Sequence, residues 1–369
     1  MTRLLFIARY RDATMRRKIE YLARDPALTI WHICPSAWQD EFLHVRQTSA
    51  QTGAFRQTAL PMWGRPTDPH RAFYHTLTFG LRRFQPDLVH AEEEPDSLAA
   101  LQIALARRLF APRAKLILNT WQNVNRPKTW PVRWVMQTTL QASAGVLCAN
   151  SEAAVILRQH GFHRPTAIIP AVGADAEVFR PCERPERGDG TFVVGYVGRL
   201  APEKGLDTLL HAMRRLPAAT SLQIMGDGSS RAELLAQVAT LGLAHRVRLL
   251  PPAPPAQVAH HLAQLDVLTL PSRSTPLWKE QFGRVLVEAM ACKVPVVGSN
   301  SGAIPEVIGD GGLIFPEADA AALADCLHKL MASPPLRRDL AERGYARVSR
   351  LYTQERLAEQ IAAFYRTIL

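Results

Sequence analysis

Phe192-Val193-Val194-Gly195-Tyr196-Val197-Gly198-Arg199-Leu200-Ala201-Pro202-Glu203-Lys204-Gly205 reads as a buried strand that ends on glycine, turns, and opens a helix at Leu206. A short apolar run bounded by glycine and followed by helical periodicity begins a β-α unit. The pattern repeats outward from this stretch. Downstream, 222–225, 247–249, 267–270 and 295–298 read as strands; upstream, 4–8, 28–33, 88–91, 115–118, 145–149 and 167–169 do the same. Helical stretches such as 97–109 and 151–160 lie between several of them. The alternation predicts α/β architecture with parallel, doubly wound sheets. A chain of 369 residues exceeds what one core organises, so two domains are expected. Pro181-Cys182-Glu183-Arg184-Pro185-Glu186-Arg187-Gly188-Asp189-Gly190, rich in proline, glycine and charge, is the expected linker. After Leu323 the chain reads as helical to its end, with a break near Pro334-Pro335.

Composition narrows the class. The apolar run Leu4-Leu5-Phe6-Ile7-Ala8 is too short for a signal peptide, and no apolar stretch approaches the roughly 20 residues of a membrane span. Cys34, Cys148, Cys182, Cys292 and Cys326 are odd in number and scattered, without a C-x-x-C pair, which argues against a disulfide framework or a cysteine zinc site. A cytoplasmic protein is expected, either soluble or peripheral on the inner face of the membrane. His160 and His163, and the adjacent His260 and His261, lack a third ligand at helical spacing, so surface histidines are the expectation and no metal is assigned.

The net charge of +11 is uneven. Residues 1–180 carry 23 Lys and Arg against 14 Asp and Glu, whereas 181–369 carry 21 against 19. Between Leu101 and Asn150 there are seven basic residues and no acidic one. Such asymmetry suits an anionic partner, whether lipid surface, lipid-phosphate acceptor or nucleic acid; an arginine-rich solvated surface is the plain alternative.

Chemistry concentrates at two places. Arg199 and Lys204, just past the carboxyl end of a strand, suit a diphosphate, although a Gly-Arg turn with an exposed lysine is also common in unrelated loops. The stronger signal is Glu280-Gln281-Phe282-Gly283-Arg284-Val285-Leu286-Val287-Glu288-Ala289-Met290-Ala291. Two carboxylates flank a Phe-Gly turn that opens an apolar-periodic helix, and a helix start presents free N–H groups and a positive dipole end to a phosphate. Glu288 lies about 7.5 Å further along the axis at about 1.5 Å per residue. One acid can thus reach sugar hydroxyls and the other ribose hydroxyls.

The E-x7-E spacing from Glu280 to Glu288, with Phe282-Gly283 inside and Glu288-Ala289-Met290-Ala291 closing it, resembles glycosyltransferase family 4. Gly198 to Gly205, Gly226-Asp227-Gly228, Asp266 with Pro271-Ser272, and Ser301-Gly302-Ala303-Ile304-Pro305-Glu306 follow in that family's order. The resemblance implies a GT-B fold, two Rossmann-like domains facing across an interdomain cleft. Residues 1–180 would be the acceptor-side domain, 181–350 the donor-binding domain, and 351–369 a helix packing back on the first. It implies a retaining, metal-independent transferase that uses a nucleotide-diphosphate sugar, UDP- or GDP-linked. The product would be a polysaccharide, glycolipid or other glycoconjugate. Arg199 and Lys204 would neutralise the diphosphate as it departs, Glu280 would hold the transferred sugar, and Glu288 the ribose. Gly198, Gly226, Leu250, Phe282, Gly283 and Arg284 would line the donor. No cofactor is expected. The acceptor is a hydroxyl, with lipid-linked and anionic acceptors among the options, and contact of the basic half with an anionic membrane is entertained.

The departures from the family pattern lie mainly in the first half. Arg9-Tyr10-Arg11-Asp12 stands where many members have a glycine pair, and Arg9 or Arg11 is conjectured to reach the donor phosphate in its place. Gln122, within Asn119-Thr120-Trp121-Gln122-Asn123, stands where a histidine usually contacts the donor sugar; it can hydrogen-bond but not titrate. Lys293 occupies a usual glycine position after a helix end, where a left-handed backbone would cost about 1–2 kcal/mol. Trp130 and Trp134, four apart with Arg133 beside them, fit a membrane interface, but core packing is the favoured expectation. The acidic run Glu92-Glu93-Glu94 is either an acceptor-side feature or a solvated loop. No D-x-D and no G-x-G-x-x-G after the first strand occur, which disfavours a metal-dependent transferase and an NAD-linked dehydrogenase. The alternatives are a GT-B sugar-nucleotide epimerase or a non-catalytic binder of sugar nucleotide or nucleic acid; no nucleic-acid motif is present.

Overall fold

A computed structural model describes residues 1–10, 13–39, 44–68, 70–182 and 190–369. Arg11 and most of the expected linker, residues 183–189, lie outside the described residues. The chain divides into two compact units, Met1–Val172 with Gln354–Leu369, and Gly173–Thr353. The sequence reading had set the divisions after residues 180 and 350.

Unit 1 contains β1 (Thr2–Ile7), α1 (Ala13–Leu22), β2 (Leu28–Pro35), β3 (Ala37–Gln39), β4 (His44–Arg46), β5 (Ala50–Gln51) and β6 (Arg56–Leu60). It continues through β7 (Met62–Trp63), β8 (Phe73–Tyr74), α2 (Leu81–Phe84), β9 (Leu88–Ala91), α3 (Leu98–Phe110), β10 (Lys115–Thr120), α4 (Trp130–Ala142), β11 (Gly145–Cys148), α5 (Ser151–Gln159) and β12 (Thr166–Ile168). Its main sheet has the order β12-β11-β10-β9-β1-β2-β6-β5, parallel except for β5. The six strands expected from sequence run consecutively from the β12 edge to β2, and β6 is not among them. Arg56-Gln57-Thr58-Ala59-Leu60 lacks a clean apolar run, because the buried Gln57 satisfies its amide on the Thr48 carbonyl instead of packing as a hydrophobe.

Unit 2 contains β13 (Phe192–Val197), α6 (Leu206–Met213), β14 (Thr220–Met225), α7 (Arg231–Thr240), β15 (Val247–Leu250), α8 (Pro255–Ala263) and β16 (Val267–Leu270). After these come α9 (Arg284–Ala291), β17 (Val296–Ser299), α10 (Ile304–Ile308), β18 (Gly312–Phe315), α11 (Ala320–Ala332) and α12 (Pro334–Leu351). All six strands are parallel in the order β15-β14-β13-β16-β17-β18. This is the 3-2-1-4-5-6 order of a dinucleotide-type doubly wound sheet, whose ligand crevice opens where the order reverses, between β13 and β16. The expected break at Pro334-Pro335 is a helix start: Ser333 caps α12, accepting from the Leu336 N–H, and the prolines occupy first-turn positions.

The last helix, α13 (Gln354–Ile368), returns to unit 1 and packs on α1. Leu357, Ile361, Phe364 and Tyr365 enter the core formed by Leu4, Phe6, Ile19 and Leu88. The Tyr365 hydroxyl lies 2.6 Å from His90 Nδ1 on β9.

Candidate functional site

In unit 2 the loops after β13, β14 and β16 approach backbone to backbone, which only glycine permits at Gly205, Gly226 and Gly228. A Cβ on Gly226 would lie 1.9 Å from the Gly198 carbonyl oxygen, and one on Gly205 2.0 Å from that of Pro271. Gly205 also has φ +65, a left-handed backbone that favours glycine. These contacts draw the Arg199–Lys204 turn to the carboxyl end of β16, at the reversal of strand order.

Two of the expected residues meet there. Lys204 Nζ lies 2.7 Å from Glu280 Oε2, and the Ser272 hydroxyl donates to the same oxygen at 2.7 Å. The ammonium sits 4.6 Å from the centre of the Trp278 ring, a cation–π contact. Glu280 is 7% exposed, so its charge needs these partners. Its backbone carbonyl accepts from the Ala303 N–H at 2.9 Å, which ties the loop to the turn preceding α10. Ser272 follows Pro271 in one of the motifs, whereas Trp278 belongs to none.

Gly283, with φ +75, caps the start of α9. Glu288 is buried on that helix at 6% exposure, and Arg284, one turn earlier, donates to it through Nε at 2.6 Å. Phe282 packs inward, its ring centre 5.6 Å from that of Tyr352, so its side chain serves the core while its backbone borders the helix start. Arg199 is exposed and bonded to Glu203 at 2.6 Å. Leu250 ends β15, and its carbonyl accepts from the Gly226 N–H at 3.0 Å.

In unit 1 the acidic run is not a solvated loop. Glu93 is buried and takes two bonds from Arg9, through Nε and Nη2, each 2.7 Å. The remaining guanidinium hydrogens of Arg9 go to the carbonyls of Pro66, Asp68 and Ala72. With all five donors used, Arg9 is a structural clamp, and the conjecture that it reaches a donor phosphate is withdrawn. Lys18, fully buried, pairs with Glu92. Glu94 accepts from the Thr120 hydroxyl at 2.8 Å and the Trp121 N–H at 2.7 Å. Burial, with the nearby negative charge of Asp96, pushes its carboxyl up to about 7.

Gln122 belongs to a polar cluster that includes Asp96. Its amide donates to Asp96 at 2.8 Å and accepts from Lys128 at 2.8 Å, while Lys128 also reaches Asp96 at 2.6 Å. His70 Nδ1 lies 3.1 Å from the same carboxylate, and that bond raises the histidine's pKa. Burial alone would raise Asp96, but the bonds from His70, Lys128 and Gln122 hold it well below the usual carboxylate range. His70, Asp96 and Lys128 were not foreseen, because they are far apart in sequence and belong to no motif.

The expectation that Trp130 and Trp134 pack into a core is overturned, since both are largely exposed. The face of α4 that packs inward is Val135, Met136, Thr139 and Leu140. Among the described residues, no group of three or more His, Cys, Asp or Glu side chains is placed to hold a metal.

Residues 183–347 match the family described as Glycosyl transferases group 1. That match lies within unit 2 and takes in under half of the chain. The D-inositol 3-phosphate glycosyltransferase of Corynebacterium urealyticum is 30% identical over 259 residues, 64% of this chain and 60% of that protein. The enzyme of the same description from Segniliparus rotundus is 33% identical over 258 residues, 64% of this chain and 55% of its own length. The chain thus aligns with less than two thirds of the curated relatives it matches. Sucrose-phosphate synthase from Thermosynechococcus elongatus superposes with a TM-score of 0.76 at 21% identity, covering 100% of this chain and 99% of that one. Anabaena Alr3699/HepE in complex with UDP-glucose superposes with a TM-score of 0.70 at 19% identity, covering 100% of each. The fold of this chain is GT-B, built from two Rossmann-like units.

Proposed function

We propose that this chain transfers a sugar from a nucleotide-diphosphate sugar, a UDP-sugar foremost, to a hydroxyl acceptor, with retention of configuration and without a metal. The observation that carries the reading is the contact of Lys204, Glu280 and Ser272 at the strand reversal of unit 2, with the start of α9 on the same loop. In this reading Lys204 and Arg199 neutralise the diphosphate, and the N–H groups at the start of α9 receive one phosphate. Glu280 holds hydroxyls of the transferred sugar. Lys204 and Ser272 orient its carboxylate, and the lysine moves between acid and phosphate without leaving either buried charge alone. Glu288 holds the ribose, oriented by Arg284. The solved UDP-glucose complex of Alr3699/HepE supports a UDP-sugar donor, and the glycosyltransferase descriptions of the curated relatives support sugar transfer.

Unit 1 is read as the acceptor side. Gln122, fixed by Asp96 and Lys128, offers its remaining amide hydrogen to a sugar or acceptor hydroxyl, and the basic character of this half suits an acceptor bearing phosphate or joined to a lipid. The products assigned are polysaccharide or glycolipid.

A panel of UDP-, GDP- and other nucleotide sugars, scored for thermal stabilisation and donor hydrolysis in chelator, tests the reading. UDP-sugars are expected to stabilise the wild type. Glu288→Ala should cut turnover by about a hundredfold or more, at the scale of losing a charge-assisted contact, with little change in melting temperature. Wild-type turnover in Glu288→Ala, or no response to any nucleotide sugar, would remove the assignment.

A further inference from the structure

Three contiguous elements of unit 1 leave their large apolar side chains outward. The β7–β8 hairpin exposes Trp63 at 57% and Phe73. It is fastened to α3 through Gln102, which accepts from the Tyr74 N–H at 2.9 Å and donates to the Tyr74 carbonyl at 2.6 Å. Helix α3 exposes Leu98, Leu105 and Leu109, and packs on α4, which exposes Trp130 at 74% and Trp134 at 56%. Single exposed hydrophobics are ordinary, but three tryptophans on adjoining elements are not.

The same elements are basic. No acidic residue occurs between Leu101 and Asn150, and Asp68 is the one acid between Arg56 and Pro86. Asp68 is occupied in its own turn, accepting from the His70 and Arg71 N–H groups. Arg65, Arg71, Arg108 and Arg133 are exposed. Tryptophan with arginine, and a single acid held in its own turn, is the chemistry of a headgroup interface, where the ring sits at the boundary of the acyl layer and the cation reaches lipid phosphate. No helix among the described residues is long and apolar enough to cross a membrane.

We propose that the face formed by the β7–β8 hairpin, α3 and α4 docks peripherally on an anionic lipid bilayer. Trp63, Trp130 and Trp134 enter the interfacial zone, and the arginines pair with headgroups. This inference does not rest on the donor chemistry of unit 2 and can fail without it.

The full-length chain is co-sedimented with vesicles of phosphatidylcholine alone and of phosphatidylcholine with phosphatidylglycerol, at low and high salt. Binding is expected to the anionic vesicles, weakening with salt, with a blue shift of tryptophan emission. Trp130→Ser with Trp134→Ser should weaken binding by about tenfold per tryptophan. Melting temperature and nucleotide-sugar stabilisation should be unchanged, because both side chains are outside the core. Leu235→Ser, an exposed residue of α7 in unit 2, should bind as the wild type does. Absence of binding to anionic vesicles, or equal binding by the double variant, would overturn the proposal. So would a wild-type dimer that the double substitution makes monomeric, since a second copy would then cover the face.

Discussion

At the scale of single residues, two glycines of unit 2, both at positive φ, differ in backbone approach. Gly242 has φ +67 with nothing within 4 Å of a built Cβ, whereas the Cβ of Gly226 would collide with the Gly198 carbonyl. Gly242→Ala should therefore cost about 1–2 kcal/mol, the price of a left-handed non-glycine residue. Gly226→Ala, at φ +150, should cost more, because overpacking of about 1–3 kcal/mol adds to backbone strain, and should also displace the Gly198–Arg199 turn and weaken nucleotide binding. Urea unfolding of both variants, with nucleotide titration, checks this; equal costs and unchanged binding would show that the turn yields freely. Sequence patterns reveal residues of this kind only when they recur at fixed spacing. Glu280 and Glu288 were legible because seven intervening residues include a helix start. Ser272 and Trp278 complete the same contact but are ordinary residue types in an irregular loop, and Arg9 looked available because its carbonyl partners cannot be read from sequence.

At the scale of elements, helix α9 ends on a residue of the wrong kind. Lys293 has φ +55, its N–H bonds the Met290 carbonyl at 3.0 Å, and the Val294 N–H bonds that of Ala289 at 2.9 Å. This paired closure normally places glycine where Lys293 stands. The side chain recovers part of the cost through Glu342, 2.7 Å away, and through the Tyr345 ring at 5.1 Å. Lys293→Ala keeps the strained backbone and loses both contacts, whereas Lys293→Gly loses the contacts and the strain. The glycine variant should be the more stable of the two by about 1 kcal/mol, read by chemical denaturation. The reverse order would mean that alanine's lower unfolded-state entropy outweighs the strain. Strongly apolar strands and the helical stretches 97–109 and 151–160 were legible in this chain; the latter match α3 and α5, which Ser97 and Asn150 cap. Strand β18 was not, because Gly312-Leu313-Ile314-Phe315 lies at a sheet edge, half exposed, among glycines that suggest only a turn.

At the scale of the whole molecule, acid should act most strongly on unit 1, through a row of side chains across its sheet. His32 on β2, Phe6 on β1 and His90 on β9 are in register, and both histidines are fully buried. Burial pushes each imidazole down to about 3 from an ordinary 6.5. His90 spans the Tyr365 hydroxyl and the Asn119 amide oxygen at 2.6 and 2.7 Å, whereas His32 Nε2 has no hydrogen-bond partner. Between these values the unfolded chain binds the proton and the folded one does not. The stabilising contribution is therefore complete above the unfolded pKa and declines as pH falls toward about 3, by about 1.4 kcal/mol per pH unit per histidine. Glu94 opposes this. Its folded value of about 7 lies above an ordinary 4.5, so its contribution is present at low pH and lost as pH rises through that interval. The net slope mixes these groups, but replacing one of them isolates its share. His32→Phe puts a ring of similar size among Phe6, Tyr10 and Phe55 and removes one titration. The slope of unfolding free energy between about pH 6 and about pH 4 should fall by about one proton relative to the wild type, with Glu94 and His90 common to both. Parallel slopes for the two proteins would mean that His32 takes up its proton in the folded state, and that this row does not set the acid limit of unit 1.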